Sequence, residues 1–273
     1  MEISINHETI YQYEAPVHYT IQSLRLTPQP FDGQVVRDWS VKNQGPGKLH
    51  SFEDSFGNLT HTLVINEVHE EIRLLVKGRV LVEDTNGVVT GTNEPFPPIF
   101  YLRETSQTEP NKAIVSLAKE AAVTSKDRLD KMYGLMNLVR DAIEYETGQT
   151  EALTTAVEAL ANGKGVCQDH AHVFIAAARS LGVPARYVSG YLLHSEDGEE
   201  SEASHAWAEA YVEGLGWVAF DVANRVSTTD QYVRIGVGLD YSEASPVRGI
   251  RRGGGAEALR VNVLVERYGE AAQ

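Results

Sequence analysis

The chain has 273 residues, 42% of them hydrophobic, with 24 Lys and Arg against 38 Asp and Glu for a formal net charge of −14. That length buries a full core as one large domain or two modest ones, and the negative balance argues against a sequence-independent grip on nucleic-acid phosphates or an anionic membrane surface. A single cysteine rules out an internal disulfide framework.

The first residues, Met1 to His7, carry no basic or apolar leader pattern. The central apolar run at 173–178 is far too short to span a bilayer, so a soluble cytoplasmic protein is expected. Residues 1–95 alternate as strands do, in Ile3/Ile5, Leu24/Leu26, Leu63/Ile65 and from Leu75 to Val82. Turn signals at Asp32-Gly33, at 43–47, at 54–58 and at Asn86-Gly87 break the region into short strands, predicting a β-sandwich. The proline-rich stretch 93–98 reads as a linker. Helices are predicted over 111–122, 126–143 and 154–161.

The clearest helix begins at Cys167. Cys167, Ala171, Phe174, Ile175, Ala178 and Leu181 fall on one face, and Gly182 with Pro184 stops it. Strands are predicted at 185–193, 203–212 and 217–222, with the acidic segment 195–200 as an exposed loop between the first two. After the glycines at 253–255, residues 259–265 read as a final strand that could join either sheet.

Cys167 at a helix start lies where unpaired N–H groups and the helix dipole favour a thiolate. The upstream Gly163 and Gly165 would let the backbone approach a ligand. His205 offers a base and Asp221 a carboxylate, which completes the raw material of a nucleophilic triad. Each has a plainer reading by itself: a small buried thiol, an ordinary strand histidine, a strand-end acid. Strand parity supplies a test. On 203–212, His205, Trp207, Glu209 and Tyr211 face one way and the alanines the other. If a hairpin follows, an odd loop such as 212–216 places Asp221 opposite Trp207 and diagonal to His205, whereas an even loop puts it on the wrong face.

Gln168 and Trp207 are candidate cleft residues, and Tyr191 a weaker one; packing roles are the alternative for all of them. A metal site is disfavoured. His170 and His172 lie about 200° apart around a helix axis and no second cysteine completes a zinc set.

The stretches Gly165-Val166-Cys167-Gln168-Asp169-His170-Ala171-His172, residues 179–191, and Ser204-His205-Ala206-Trp207-Ala208-Glu209 resemble the bacterial transglutaminase-like superfamily. Residues 11–17, 24–28 and 54–58 are similar to the β domain often found before that core, and 247–254 to the family's ending. The resemblance implies an α+β fold: a sandwich-like N-terminal domain (1–95), a papain-like core of helices on an antiparallel sheet (96–240), and a C-terminal elbow and strand (241–273). It implies Cys167 as nucleophile, His205 as base and Asp221 as orienting acid. The family commonly continues that aspartate with Pro-Thr-Asn, whereas this chain has Val222-Ala223-Asn224. The expected activity is acyl transfer from a peptide or protein substrate through a thioester, resolved by water or alternatively by an amine. A non-catalytic binding protein on the same fold is the third reading. No cofactor is implied, and the oligomeric state is left open.

Overall fold

The computed structural model describes residues 1–193 and 204–269; the expected acidic loop at 195–200 lies outside the described residues. The chain opens with β1 (Glu2–Leu24), β2 (Gln34–Asn43), β3 (Lys48–Glu53), β4 (Leu59–Ile65) and β5 (His69–Val82), antiparallel in the order β2-β5-β1-β4-β3. The alternation is used as predicted: Ile3, Ile5, Leu74, Val76, Val80 and Val82 are all buried.

The strands are longer than the turn signals suggest. β1 runs 23 residues and β5 runs 14. Pro16 has no N–H for a ladder, and β1 shifts register against β5 between Gln12 and Val17, so the proline falls in the irregularity and the strand continues. Past the shift, residues 20–24 of β1 pair with β4. The sheet thereby folds over on itself, and Leu63 and Ile65 of β4 share one core with Ile72, Leu74 and Val76 of β5.

Next come β6 (Val88–Val89), a 3₁₀ turn (Pro98–Leu102), α1 (Lys112–Thr124), α2 (Arg128–Ala142), β7 (Glu144–Tyr145), α3 (Ala156–Asn162), β8 (Lys164–Gly165) and α4 (Cys167–Ser180). Side-chain caps start the helices: Asn111 accepts from Ile114 N, Asp127 from Leu129 N and Asp130 N, and Thr155 with Glu158 forms a capping box. α4 departs from the single apolar stripe expected of it. Every residue from Asp169 to Arg179 is buried, because α1, α2 and α3 surround it on one side and the core sheet covers the other. Its C-terminal Arg179 is stapled to the carbonyls of Tyr101, Ala185 and Leu239 and to Thr108 Oγ1.

The core sheet comprises β9 (Ala185–Leu192), β10 (Ser204–Val212), β11 (Gly216–Phe220) and β12 (Tyr232–Gly238), in the antiparallel order β12-β9-β10-β11-β6. Its outer strand at one side, β6, comes from the segment read as N-terminal domain. The proline-rich linker is likewise fixed to the core: Phe96 stacks on Phe100 at 3.9 Å, Glu94 grips Arg186, and Tyr101 is fully buried. At the opposite edge, β12 is clasped by two side-chain amides from the β region. Asn58 Nδ2 donates to Val237 O and its Oδ1 accepts from Val237 N, both at 2.8 Å. Gln34 makes the same pair of bonds with Arg234 O (2.9 Å) and N (2.8 Å). A side-chain amide mimics a strand here and satisfies an edge that would otherwise be raw.

After α5 (Tyr241–Ala244), β13 (Val247–Gly253) and β14 (Glu257–Arg267) both return to the first sheet and pair with β1. No helix among the described residues is long and apolar enough to cross a membrane.

Candidate active site

The segment before Cys167 is held by its own side chains. Gly163 adopts φ +67 as the left-handed cap that ends α3. Asp169 Oδ2 then accepts from Val166 N at 2.8 Å and from Thr150 Oγ1 at 2.6 Å. A Cβ on Gly165 would stand 2.6 Å from that same oxygen. The two glycines serve a helix end and the Asp169 carboxylate. His170 adds to the brace, with Nδ1 2.8 Å from Val166 O and Nε2 3.0 Å from Ile143 O. Cys167 emerges as the first residue of α4, half-buried, beside backbone N–H groups that have no helical partner.

The hairpin of β10 and β11 has the register that parity required. Ala208 lies opposite Phe220 and Tyr211 opposite Trp217, around a turn at 213–215. Continuing that register by one residue brings Asp221 to the His205 face, and His205 Nε2 donates to Asp221 Oδ2 at 2.7 Å. Nδ1 is left for the Cys167 side of the ring. Burial alone would lower the imidazolium, but the bonds from Asp221 and Cys167 outweigh it and hold His205 up to about 10.

Asp221 is fully buried, which by itself would raise its carboxyl. Hydrogen bonds from His205, Tyr232 and Asn224 reverse that and hold it below the ordinary carboxylate range. Tyr232 OH and Asn224 Nδ2 each donate to Oδ2 at 2.7 Å, and the Asn224 N–H reaches Oδ1 at 3.2 Å. The backbone here is fixed without a proline: Asp221 and Val226 exchange two hydrogen bonds across a tight turn, with Arg225 at φ 59. Arg140 of α2 steadies the turn by donating to Ala223 O.

The predicted cleft residues fare differently. Gln168 adjoins the nucleophile, yet its amide is engaged by Ala152 O at 3.1 Å. Trp207 is 2% exposed; its ring lies beside His205 (6.4 Å) and Tyr232 (5.6 Å), over Gly190. Tyr191 pairs with Ser204, so its side chain faces away from the His205 side of the sheet. It is buried against Ile3, Ile5 and Val80, with its hydroxyl 2.7 Å from His7 Nδ1 at the seam between the sheets. His170 and His172 are likewise separately employed, the latter accepting from Tyr241 N at 3.0 Å.

Sequence reasoning missed Tyr232, Tyr187 and Tyr241. The two last face Cys167, and burial followed by the charge at Cys167 raises both phenols. The signal for Tyr232 was present in the unassigned stretch 232–238, where Val233, Ile235 and Val237 alternate. On the same strand as His205, Glu209 is fully buried between Arg186 (2.6 Å) and Arg234 (2.8 Å), and Arg186 lies 3.9 Å over the Trp217 ring. Burial would raise Glu209, but the two guanidinium groups hold it down at about 2.

Residues 115–222 match the transglutaminase-like superfamily core, and residues 3–81 match the bacterial transglutaminase-like N-terminal region. An uncharacterized protein of Mycobacterium leprae is 30% identical over 275 residues, covering 96% of this chain and 97% of its own. One from Mycobacterium tuberculosis is 24% identical over 270 residues, covering 90% and 86%. The crystal structure of a provisionally named cysteine protease from Cytophaga hutchinsonii shares the fold, with a TM-score of 0.80 at 22% identity, covering 100% of this chain and 92% of that one.

Proposed function

The chain belongs to the transglutaminase-like superfamily, and on that premise we propose that it is a cysteine-dependent acyl-transfer enzyme that hydrolyses a peptide or side-chain amide. The reading rests on one observation above the others. His205 Nε2 lies 2.7 Å from the buried Asp221 carboxylate, which leaves Nδ1 for the helix-initial thiol of Cys167.

Each residue has a role that its surroundings support. In the reactive form the Cys167 proton has passed to the His205 ring and the sulfur attacks as a thiolate. The thiolate attacks the amide carbonyl carbon, and the oxyanion is received by the Cys167 backbone N–H at the start of α4. As the C–N bond breaks, His205 Nδ1 delivers its proton to the departing nitrogen, leaving a thioester and a neutral ring. The ring then takes a proton from water, the hydroxide attacks the thioester, and the C–S bond breaks to restore the thiolate. Asp221 fixes the Nε2–H tautomer and offsets the charge that forms on the ring.

Amine in place of water would make the same site a transglutaminase. Hydrolysis is favoured because Cys167 is only half-buried, so bulk water reaches the thioester. Incubation with glutamine-containing peptides and a primary amine distinguishes the outcomes by mass. Hydrolysis gives a free acid, amine transfer gives an adduct, and Cys167→Ala should abolish either. Activity that survives Cys167→Ala would leave only a non-catalytic role for the site.

A further inference from the structure

Asp221 takes its hydrogen bonds unevenly. Oδ2 receives His205 Nε2, Asn224 Nδ2 and Tyr232 OH, each at 2.7 Å, while Oδ1 faces the longer bond from Asn224 N. Asn224 belongs to the same turn as Asp221 and moves with it. Tyr232 comes from elsewhere. It sits on β12, at the opposite edge of a sheet whose order places β9 and β10 between β12 and β11. Its ring crosses behind the catalytic histidine, edge-on to Trp207 at 5.6 Å and 6.1 Å from His205. Its own backbone is tied down by Leu192 of β9 and by Thr229 O. The hydroxyl is thus delivered from a rigid strand to a carboxylate that lies on a turn.

We propose that Tyr232 is a positioning residue for the triad: its hydroxyl holds the buried Asp221 carboxylate ionised and aimed at His205 Nε2. The inference rests on the triad reading above. A fully buried carboxylate stays charged only while donors replace the water it has lost. Without the tyrosine hydroxyl, Asp221 takes up a proton at higher pH. A protonated Asp221 no longer supports the imidazolium, so the thiolate in turn forms at higher pH. The titratable groups facing Asp221 are His205 from β10 and Tyr232 from β12. From α2, Arg140 reaches the same turn through Ala223 O, and Arg225 of the turn pairs outward with Asp141. His205 faces Cys167 on its other side, and Tyr187 and Tyr241 face the sulfur from β9 and α5.

The test is the acid limb of Cys167 alkylation by iodoacetamide, measured from pH 4 to 9 in the native protein, Tyr232→Phe, His205→Ala and Tyr133→Phe. Tyr133→Phe is a matched deletion, since its hydroxyl bonds Ser227 Oγ at 2.7 Å and touches no triad residue. Tyr232→Phe keeps the ring packed on Trp207, and a thermal melt checks its fold. The expected result is an acid limb moved up by about one pH unit, an approximately tenfold slower reaction at a fixed pH on that limb, with Tyr133→Phe unmoved. A purely structural tyrosine would lower the melting temperature and leave the limb in place, and that result overturns the inference alone. A native rate indifferent to His205→Ala would overturn the inference together with the triad reading.

Discussion

Asp221 and Asp169 are both buried carboxylates, and each is made tolerable by donors from its own loop. For Asp221, Asn224 Nδ2 is one such donor. A hydrogen bond to a charged group is worth about 1.5–3 kcal/mol, so Asn224→Ala should slow Cys167 alkylation by about tenfold or more at a fixed pH on its acid limb. An unchanged rate would mean that Tyr232 and His205 alone hold the acid. For Asp169, the tight neighbour is Gly165. An added methyl would meet the carboxylate oxygen at 2.6 Å, and Gly165→Ala should cost about 1–3 kcal/mol in urea unfolding while displacing the start of α4. At this scale the sequence was readable where strand parity fixes geometry: the approach of Asp221 to His205 could be foreseen. It was opaque where a side chain serves a distant partner. Nothing local to Tyr191 marks it as a partner of His7, and nothing local to Tyr232 marks it as a partner of Asp221.

Among the elements, β12 shows how the two sheets are joined. It is an edge strand without a neighbour on one side, and Gln34 and Asn58 stand in for the missing ladder. Both amides are buried, at 0% and 3% exposure. Replacing either by leucine strands a buried N–H and C=O of β12, at about 1–3 kcal/mol for each unsatisfied group. Denaturant titration of Asn58→Leu should therefore show a clear loss of stability, and Tyr232, carried on the same strand, should lose its hold on Asp221. A variant as stable as the native chain would show that water replaces the clasp. Element boundaries in the core were largely legible because helices and strands there follow simple periodicities, with Gly182 just past the end of α4 and Gly214 and Gly216 at the turn between β10 and β11. The length of β1 was not. Pro16 interrupts the ladder, and pairing with β14 up to Tyr13 and with β13 from Val17 keeps the strand going past it.

Taken as a whole, the molecule keeps neutral histidines at its seams. Burial lowers His7 to about 4 at the junction of β1 and β9, and lowers His172 to about 3 between α4 and α5. Both lie below the ordinary value of 6.5, so the unfolded chain binds more protons than the folded one between these limits. Their contribution to stability is present above 6.5 and is lost as pH falls toward 4. Unfolding free energy should fall steadily over that window, and His7→Gln should flatten part of the slope. A slope identical in the variant would place the acid sensitivity elsewhere. The joined architecture was the least legible level. Composition separated a β region from a helical one, but the contribution of β6 to the core sheet and the return of β13 and β14 to β1 are long-range pairings that no local pattern encodes.

The central claim is that Cys167, His205 and Asp221 form a charge-poised nucleophilic unit, and the protonation of His205 tests it most directly. Nitrogen NMR of the labelled imidazole, followed from pH 5 to 11 in the native protein and in Cys167→Ala, reads the ring itself. The account predicts an imidazolium throughout the neutral range that loses its proton only near 10, and a clearly lower midpoint once the thiol is gone. A ring that titrates near 6.5 and ignores Cys167→Ala would contradict it.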